Sequence, residues 1–512
     1  MACRVPDRGE ACLAAEEGEG GVGEAYLIGI DVGTTAVKAA LFEHDGRIVD
    51  ATSRAYPTSR PLPGWVEQDP AHWSAAVMAA LHRFATRVPP GAVAAIGLTS
   101  QTNTHLFVDR AGRPLAPAIV WQDGRAATQA ALIDADLTEA ERLRWWNAPL
   151  PVDASHALAR MRWTAEHEPE RWARTARVLL PKDHCLFMLT GECMSDPLSN
   201  IGLVALDSRY ANDLLARVPG AIDRLPPLAD MTSVAGLVRD GLPFAGTPVA
   251  VGTMDAWAGL FGCGVTDEGA GLYLGGTSEI LGIVSSRVVP TPGVLVMPPS
   301  HGITLHVGPT QSGGASVEWF CRLFEVTPGE MSRLAATHPP EAPLPLFLPH
   351  LQGERAPLWD ADARGVFVGL GASTGRAALA RAVFEGVALS ARWLLDALRS
   401  STGAHPAALN AGGGGFRSDV WNAIRADALG VTLHRTGATD PGTLGAAGLA
   451  AVAIGRHATV RTAFADLVRI ERSFPPDEAR RERLEERYAL FRDAYEHTRE
   501  LSHRWVRAEE CS

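Results

Sequence analysis

A chain of 512 residues is too long for one ordinary hydrophobic core, so it divides into two or more domains. Its 46% hydrophobic and 21% charged residues are those of a folded globular protein, and a net charge of −11 argues against a nonspecific nucleic-acid binder. The longest apolar run, around Leu444–Ile454, is too short to span a bilayer; the seven cysteines have neither zinc-ligand nor disulfide-framework spacing, which points to reduced thiols and a cytoplasmic protein without a membrane partner.

Residues 1–25 are rich in Glu and Gly, lack the apolar core of a signal peptide, and read as a disordered extension. A β-meander follows: Leu27–Asp31 is a strand, Ala36–Glu43 a second, and Asp45-Gly46 turns the chain into Arg47–Arg54. Asp69 and Pro70 supply the cap and first-turn proline of a helix to about Arg83, and Val93–Thr99 reads as a buried strand. A similar programme begins again near residue 268. Gly271–Leu274 is a strand, Gly275–Ser278 a turn of small residues, and Ile280–Ser285 the return; strands are expected near Val294–Met297, Ile303–Val307 and Ala408–Ala411, and helices over Arg376–Ser400 and Ser418–Leu429. The expected organisation is a first lobe over 26–265, a second over 266–475 and a terminal helix over 476–512. In that helix Leu484, Tyr488, Phe491 and Tyr495 make one apolar face, the mark of a covering helix packed on the second lobe.

Two segments carry the chemistry. In the first, an apolar strand ends in Asp31 and runs into a turn containing Gly33, Thr34 and Thr35, suited to phosphates and a metal. In the second, Asp255 stands among small residues between Val251 and Gly259, suited to act as a base. An ordinary hairpin turn would account equally for the first, and a helix cap at Ala256 for the second. The pairing suggests phosphoryl transfer to a small hydroxylated substrate.

With further landmarks, the chain from about Leu27 to Gly455 resembles the FGGY family of carbohydrate kinases, most closely its xylulokinase branch. The landmarks are Ile28–Thr35, Trp65–Pro70, Trp121–Arg125, Pro181–His184, Thr190–Glu192, Gly276–Ser278, Phe347–Arg355 and Gly413–Ser418, in that order. The resemblance implies an α/β fold of two ribonuclease-H-like lobes, as in actin and hexokinase, hinged around an ATP cleft. It also implies ATP-dependent phosphorylation of a sugar or polyol hydroxyl with Mg²⁺.

On that reading Asp31 holds the metal and Asp255 is the general base. Gly33, Thr34, Thr35, Gly276, Thr277 and Ser278 approach the phosphates. Gly413, Gly414 and Gly415 form a backbone shelf for adenosine, with Asn422 bonding the base. Gln101, Thr102, Asn103, Trp121, Asp123, Arg125, Asp255 and Trp257 are the expected acceptor contacts, although core packing is the alternative for each Trp. His105, His184 and His350 have no ligand spacing and read as structural. Three positions depart from the xylulokinase pattern. Thr102-Asn103 stands where Met-His is usual, Ala256 follows the base where Asn is usual, and Glu279 occupies a slot usually small, where it must point away or meet a cation. The expected acceptor is a ketopentose or similar sugar other than D-xylulose, with a polyol or a sugar acid as alternatives; the sugar acid would need a cation, for which Arg125 is the candidate. A non-catalytic actin-like nucleotide binder has no need of Asp255. A homodimer is compatible with all of these.

Overall fold

The computed structural model describes residues 26–510 other than 90, 147–150, 340 and 439. The extension expected over 1–25, with Cys3 and Cys12, lies outside the described residues, as does Cys511. Two seven-stranded sheets organise the chain. In the first, Tyr26–Val32, Ala36–Phe42 and Ile48–Ala55 form an antiparallel meander, and Val93–Ser100 runs parallel to the opening strand. Pro248–Ala250 and then Thr253–Met254 run parallel to Val93–Ser100 on its other side.

The second sheet repeats this order of pairings. Gly271–Gly275, Glu279–Val284 and Leu305–Pro309 form the antiparallel meander. Ala408–Gly412 runs parallel to the first of them, and Thr432–Thr436 parallel to Ala408–Gly412. Repetition of a three-strand meander followed by parallel strands makes this a pair of ribonuclease-H-like α/β lobes. Parallel strands need long connections, and these carry helices that bury the sheet faces.

Two helices join the lobes. Asp255–Gly262 leaves the first sheet, and Pro441–Ala453 leaves the second but packs on the first. The approach is backbone to backbone: a Cβ on Gly29 would collide with the Thr443 carbonyl, and one on Gly97 with that of Ala446. Only glycine allows a helix to lie so close to a sheet. Trp257, Phe261, Leu444, Ala447 and Phe464 fill the surrounding core. Full burial of a side chain such as Phe261 or Leu449 contributes about 1.5–3 kcal/mol.

Asp69 caps the helix Pro70–Ala85 as expected, its Oδ1 accepting the Ala71 N–H at 2.9 Å. The terminal helix Glu478–Glu510 buries Leu484, Tyr488, Phe491 and Tyr495 against Phe347, Val387 and Ile424, so its apolar stripe is a covering face. The three histidines have protein partners: His105 meets Arg160 at 2.9 Å, His184 the Ser74 hydroxyl at 3.1 Å, and His350 the Glu354 carboxylate at 3.1 Å. Among the described residues no helix is long and apolar enough to cross a membrane.

Candidate active site

Strand register brings the first lobe's candidate residues together. Val32 is in register with Ser100, and Ser100 with Met254, so three parallel strands end side by side. The chain leaves them as Gly33–Thr35, Gln101–Asn103 and Asp255. The second lobe does the same with Gly276–Ser278, Gly413–Gly415 and Asp440, past the ends of Gly271–Gly275, Ala408–Gly412 and Thr432–Thr436. Ligands of open parallel sheets gather at such carboxyl ends, where loops are free to vary and the strands fix their roots.

Asp255 is the first residue of its helix, and its Oδ1 accepts the Ala256 N–H at 2.8 Å. Its side chain reaches the cleft, but the surrounding protein strips enough water to push its pKa up to about 6; Ala256 N–H and Lys38 pull the other way. The strand before it is held from behind. Buried Lys182 sits 2.8 Å from Asp183 and 2.9 Å from Asp196, and Asp196 accepts the Thr253 hydroxyl at 2.9 Å. Removing one partner of such a buried pair typically costs 3–5 kcal/mol. The Pro181–His184 landmark is therefore a brace for the strand that delivers Asp255.

Asp31 is buried, with Oδ1 lacking any hydrogen-bond partner, and its pKa is raised well above the usual carboxylate range. Burial is the main cause, and the charges of Asp440 and Asp255 add to it against Lys38. Lys38 reaches across the cleft to Asp440 at 2.5 Å, a link between residues 402 apart in sequence. Asp440 also caps Pro441–Ala453, its Oδ1 accepting the Thr443 N–H at 3.1 Å. The carboxylates of Asp31 and Asp440 come together at Gly442, where a Cβ would stand 3.3 Å from one and 3.2 Å from the other. Among the described residues no group of three or more His, Cys, Asp or Glu could form a closed metal cage. Magnesium needs no such cage, because it takes one or two carboxylates and keeps several waters. An orphaned buried carboxylate oxygen beside a second carboxylate fits that demand.

Neither Lys38 nor Asp440 was marked by the sequence reading. Lys38 had a signal, a lone cation in the otherwise apolar strand Ala36–Phe42. Asp440 had none, because Asp before Pro reads as an ordinary helix cap.

On the phosphate side, Gly33, Thr34 and Thr35 form the tight turn between the first two strands. The Gly33 carbonyl accepts the Tyr56 hydroxyl, and the Thr34 Oγ1 accepts the Trp121 Nε1–H at 3.1 Å. Gly276 and Thr277 are exposed, with Ser278 half-buried beside them. Gly413 has φ +96°, and its Cβ position lies 2.5 Å from the Gly275 carbonyl oxygen, so the two glycine turns abut. Gly414 faces open space. Glu279 does meet a cation: it is fully buried, ion-paired with Arg425 and accepts the Tyr273 hydroxyl at 2.6 Å, so its charge points away from the turn.

Four expected contacts are placed elsewhere. Asn422 is fully buried, its Nδ2 donating to the Phe416 carbonyl at 2.8 Å; it ties down the loop below the glycine shelf instead of reaching the base. Trp257 is fully buried and packs on Phe261 at 5.6 Å between centroids. Two residues along a helix turn a side chain by roughly 200°, so Asp255 and Trp257 take opposite faces. Asp123 and Arg125 occupy each other. Arg125 pairs with Asp123 and Glu67, each at 2.8 Å, and lies 3.6 Å above the Trp65 ring with its side chain 2% exposed. It is not free to meet a substrate carboxylate.

Gln101, Thr102, Asn103 and Trp121 remain at the strand ends. Gln101 donates to Gln68 at 2.9 Å, and its Oε1 and the Thr102 Oγ1 are buried without partners. Asn103 adopts φ 51°, with its side chain donating to Ser155 at 3.2 Å. Unpaired buried polar atoms cost about 1–3 kcal/mol each, and a hydroxylated ligand can satisfy them.

Paired lobes with acidic and glycine-rich turns at facing strand ends define an actin- and hexokinase-like phosphotransferase. The models for the N-terminal and C-terminal domains of the FGGY family of carbohydrate kinases match residues 26–262 and 271–454. A xylulose kinase of Escherichia coli K12 is 32% identical over 481 residues, 92% of this chain and 98% of that protein. A glycerol kinase of Aromatoleum aromaticum is 31% identical over 500 residues, 93% and 99% of the two chains. The crystal structure of a xyloylose kinase from Brucella ovis superposes with TM-score 0.81 at 31% identity, covering 93% of this chain and all (100%) of that one. The chain belongs to the FGGY family of carbohydrate kinases, enzymes that move a phosphoryl group from ATP to a sugar.

The pKa of Asp255 has a kinetic consequence. With Asp255 as the proposed base, kcat/KM is expected to climb with pH through about 6 and to level off roughly a unit above it, because a base must be unprotonated to accept a proton. A profile flat down to pH 5 would assign the base to another group.

Proposed function

We propose that this chain uses Mg²⁺-ATP to phosphorylate a small ketose or polyol other than D-xylulose, with Asp255 as general base and Asp31 and Asp440 at the metal. The observation carrying this reading is the register that sets Asp255 beside Gln101–Asn103 at the strand ends. Magnesium supplies charge neutralisation for the phosphates. Asp31 and Asp440 offer it oxygens, and Lys38 adds positive charge at the same place. Gly33–Thr35 and Gly276–Ser278 bring backbone and hydroxyl groups to the phosphates from opposite lobes, and Gly413–Gly415 supports the adenosine. Asp255 takes the proton of the acceptor hydroxyl as that oxygen bonds to the γ-phosphorus and the bond from phosphorus to the departing ADP oxygen breaks, a contribution typically worth 10²–10⁴ in rate.

Similar relatives include several xylulose kinases beside a glycerol kinase, so overall likeness favours a ketose acceptor without fixing which one. Local chemistry does more. Thr102, Asn103 and Ala256 replace the groups xylulokinases typically bring to their sugar, and Arg125 is taken by two carboxylates, which disfavours a sugar acid.

An ATP-consumption panel over pentuloses, pentitols, glycerol, hexuloses and gluconate tests the reading. Another ketose or a polyol should exceed D-xylulose in kcat/KM by roughly tenfold or more. Thr102→Met, Asn103→His and Ala256→Asn together should move preference back, without strict additivity among neighbours. D-xylulose as the best acceptor of the unmodified protein would refute the assignment.

A further inference from the structure

A cavity of about 350 Å³ opens on the outer side of the second lobe. The helices Arg376–Thr402 and Glu478–Glu510 and the segment ending at Leu344 enclose it. None of its lining residues belongs to the strand-end turns described above.

Its walls carry four guanidinium groups. Arg480, Arg483 and Arg487 fall three and four residues apart, on one face of the terminal helix. Three of the four have carboxylate partners: Arg487 is ion-paired with Glu385, Arg480 lies 2.7 Å from Asp427, and Arg483 lies 2.8 Å from Glu341. Arg381, one helical turn before Glu385, has no hydrogen bond or ion pair among the described residues. It is half-buried; the carboxylates of Glu385 and Asp427 attract its charge, and Arg480 and Arg487 repel it more weakly. The nearby carboxylates Glu385 and Asp427 are already engaged. Glu486, exposed at the rim, is the remaining acidic group lining the cavity.

Its N–H groups have no acceptor among the described residues and none is sealed from solvent, so an anion entering the cavity can take them. Arginine's planar fork suits phosphate oxygens, and clustered forks hold a dianion better than a single charge. The cavity is larger than one phosphate group requires and has the size of a small-metabolite pocket. Glu486 and Glu341 at its edge can accept hydrogen bonds from hydroxyls. We infer that this cavity is a binding site for a small hydroxylated phosphomonoester, with Arg381 as its central contact, separate from the cleft where phosphoryl transfer occurs.

The test is calorimetric titration of the full chain with inorganic phosphate, a hexose monophosphate and citrate at matched ionic strength, the cleft filled with Mg²⁺ and a non-hydrolysable ATP analogue. The hexose monophosphate should bind more tightly than inorganic phosphate. Arg381→Gln should weaken its binding by about tenfold or more, and Arg483→Gln should weaken it to a smaller degree. The kinase rate without added phosphoester should be unchanged in both variants. In crystals soaked with tungstate, anomalous density should appear beside Arg381. Equal affinity in Arg381→Gln, citrate binding as tight as the phosphoester, or tungstate confined to the cleft would overturn the site.

Discussion

Replacing Asp255 by asparagine should lower turnover at least about a hundredfold while leaving ATP binding nearly intact. The substitution keeps the size and the hydrogen bond to Ala256 but removes the proton acceptor. The loss should fall on kcat, because the base acts as the acceptor oxygen bonds to phosphorus and contributes little to holding either substrate at rest. Single-turnover phosphorylation with ATP binding measured in parallel checks the split. Near-normal turnover would return Asp255 to the role of a helix-terminus residue.

Asp31→Ala should give an equally large loss by a different route. Removing one of two adjacent carboxylates weakens the hold on the metal, so use of Mg²⁺-ATP should fall by about a hundredfold or more with every acceptor. Acceptor binding without nucleotide should barely change. Stability should move the other way. Burial and neighbouring acids raise the folded-state pKa of Asp31 well above that of the unfolded chain, so the folded state binds its proton more tightly. The resulting penalty is absent at pH below the unfolded value and grows as pH rises toward the folded one. At pH 8 without metal the variant should therefore melt no lower than the parent. Added magnesium should raise the Tm of the parent and not of the variant. A variant destabilised at pH 8, or one with unchanged magnesium dependence, would make Asp31 a turn residue alone.

Strand starts and turns were legible in the sequence because local chemistry marks them. Asp45-Gly46 and Asp69-Pro70 each depend on residues a few positions apart. The terminal helix was legible for the same reason, its stripe being written in successive turns. What could not be read were pairings across the whole chain. Lys38 and Asp440 meet only because the helix Pro441–Ala453 crosses from the second lobe to lie on the first sheet, and nothing near either residue announces the other. Arg125 reads as a free cation because its neighbour Asp123 is itself expected at the acceptor, and Glu67, its other partner, is 58 residues away. Trp257 and Asn422 were misplaced by one step of helical geometry. A residue's nearness in sequence to Asp255 or to the glycine shelf says nothing about which way the helix turns it.

The glycine seam between the lobes divides the molecule into places where change is tolerated and places where it is not. At Gly29 and Gly97 even one added methyl meets a carbonyl of the opposing helix, so drift there is closed to every other residue. Thr102 and Asn103 lie just past the strand ends and Ala256 in the first turn of its helix, all half-buried and outside that contact. Substrate range can therefore wander over many generations while the joint beneath it stays still. Such a scaffold can turn to a new sugar by exchanging a few residues at the strand ends while the joint keeps its glycines.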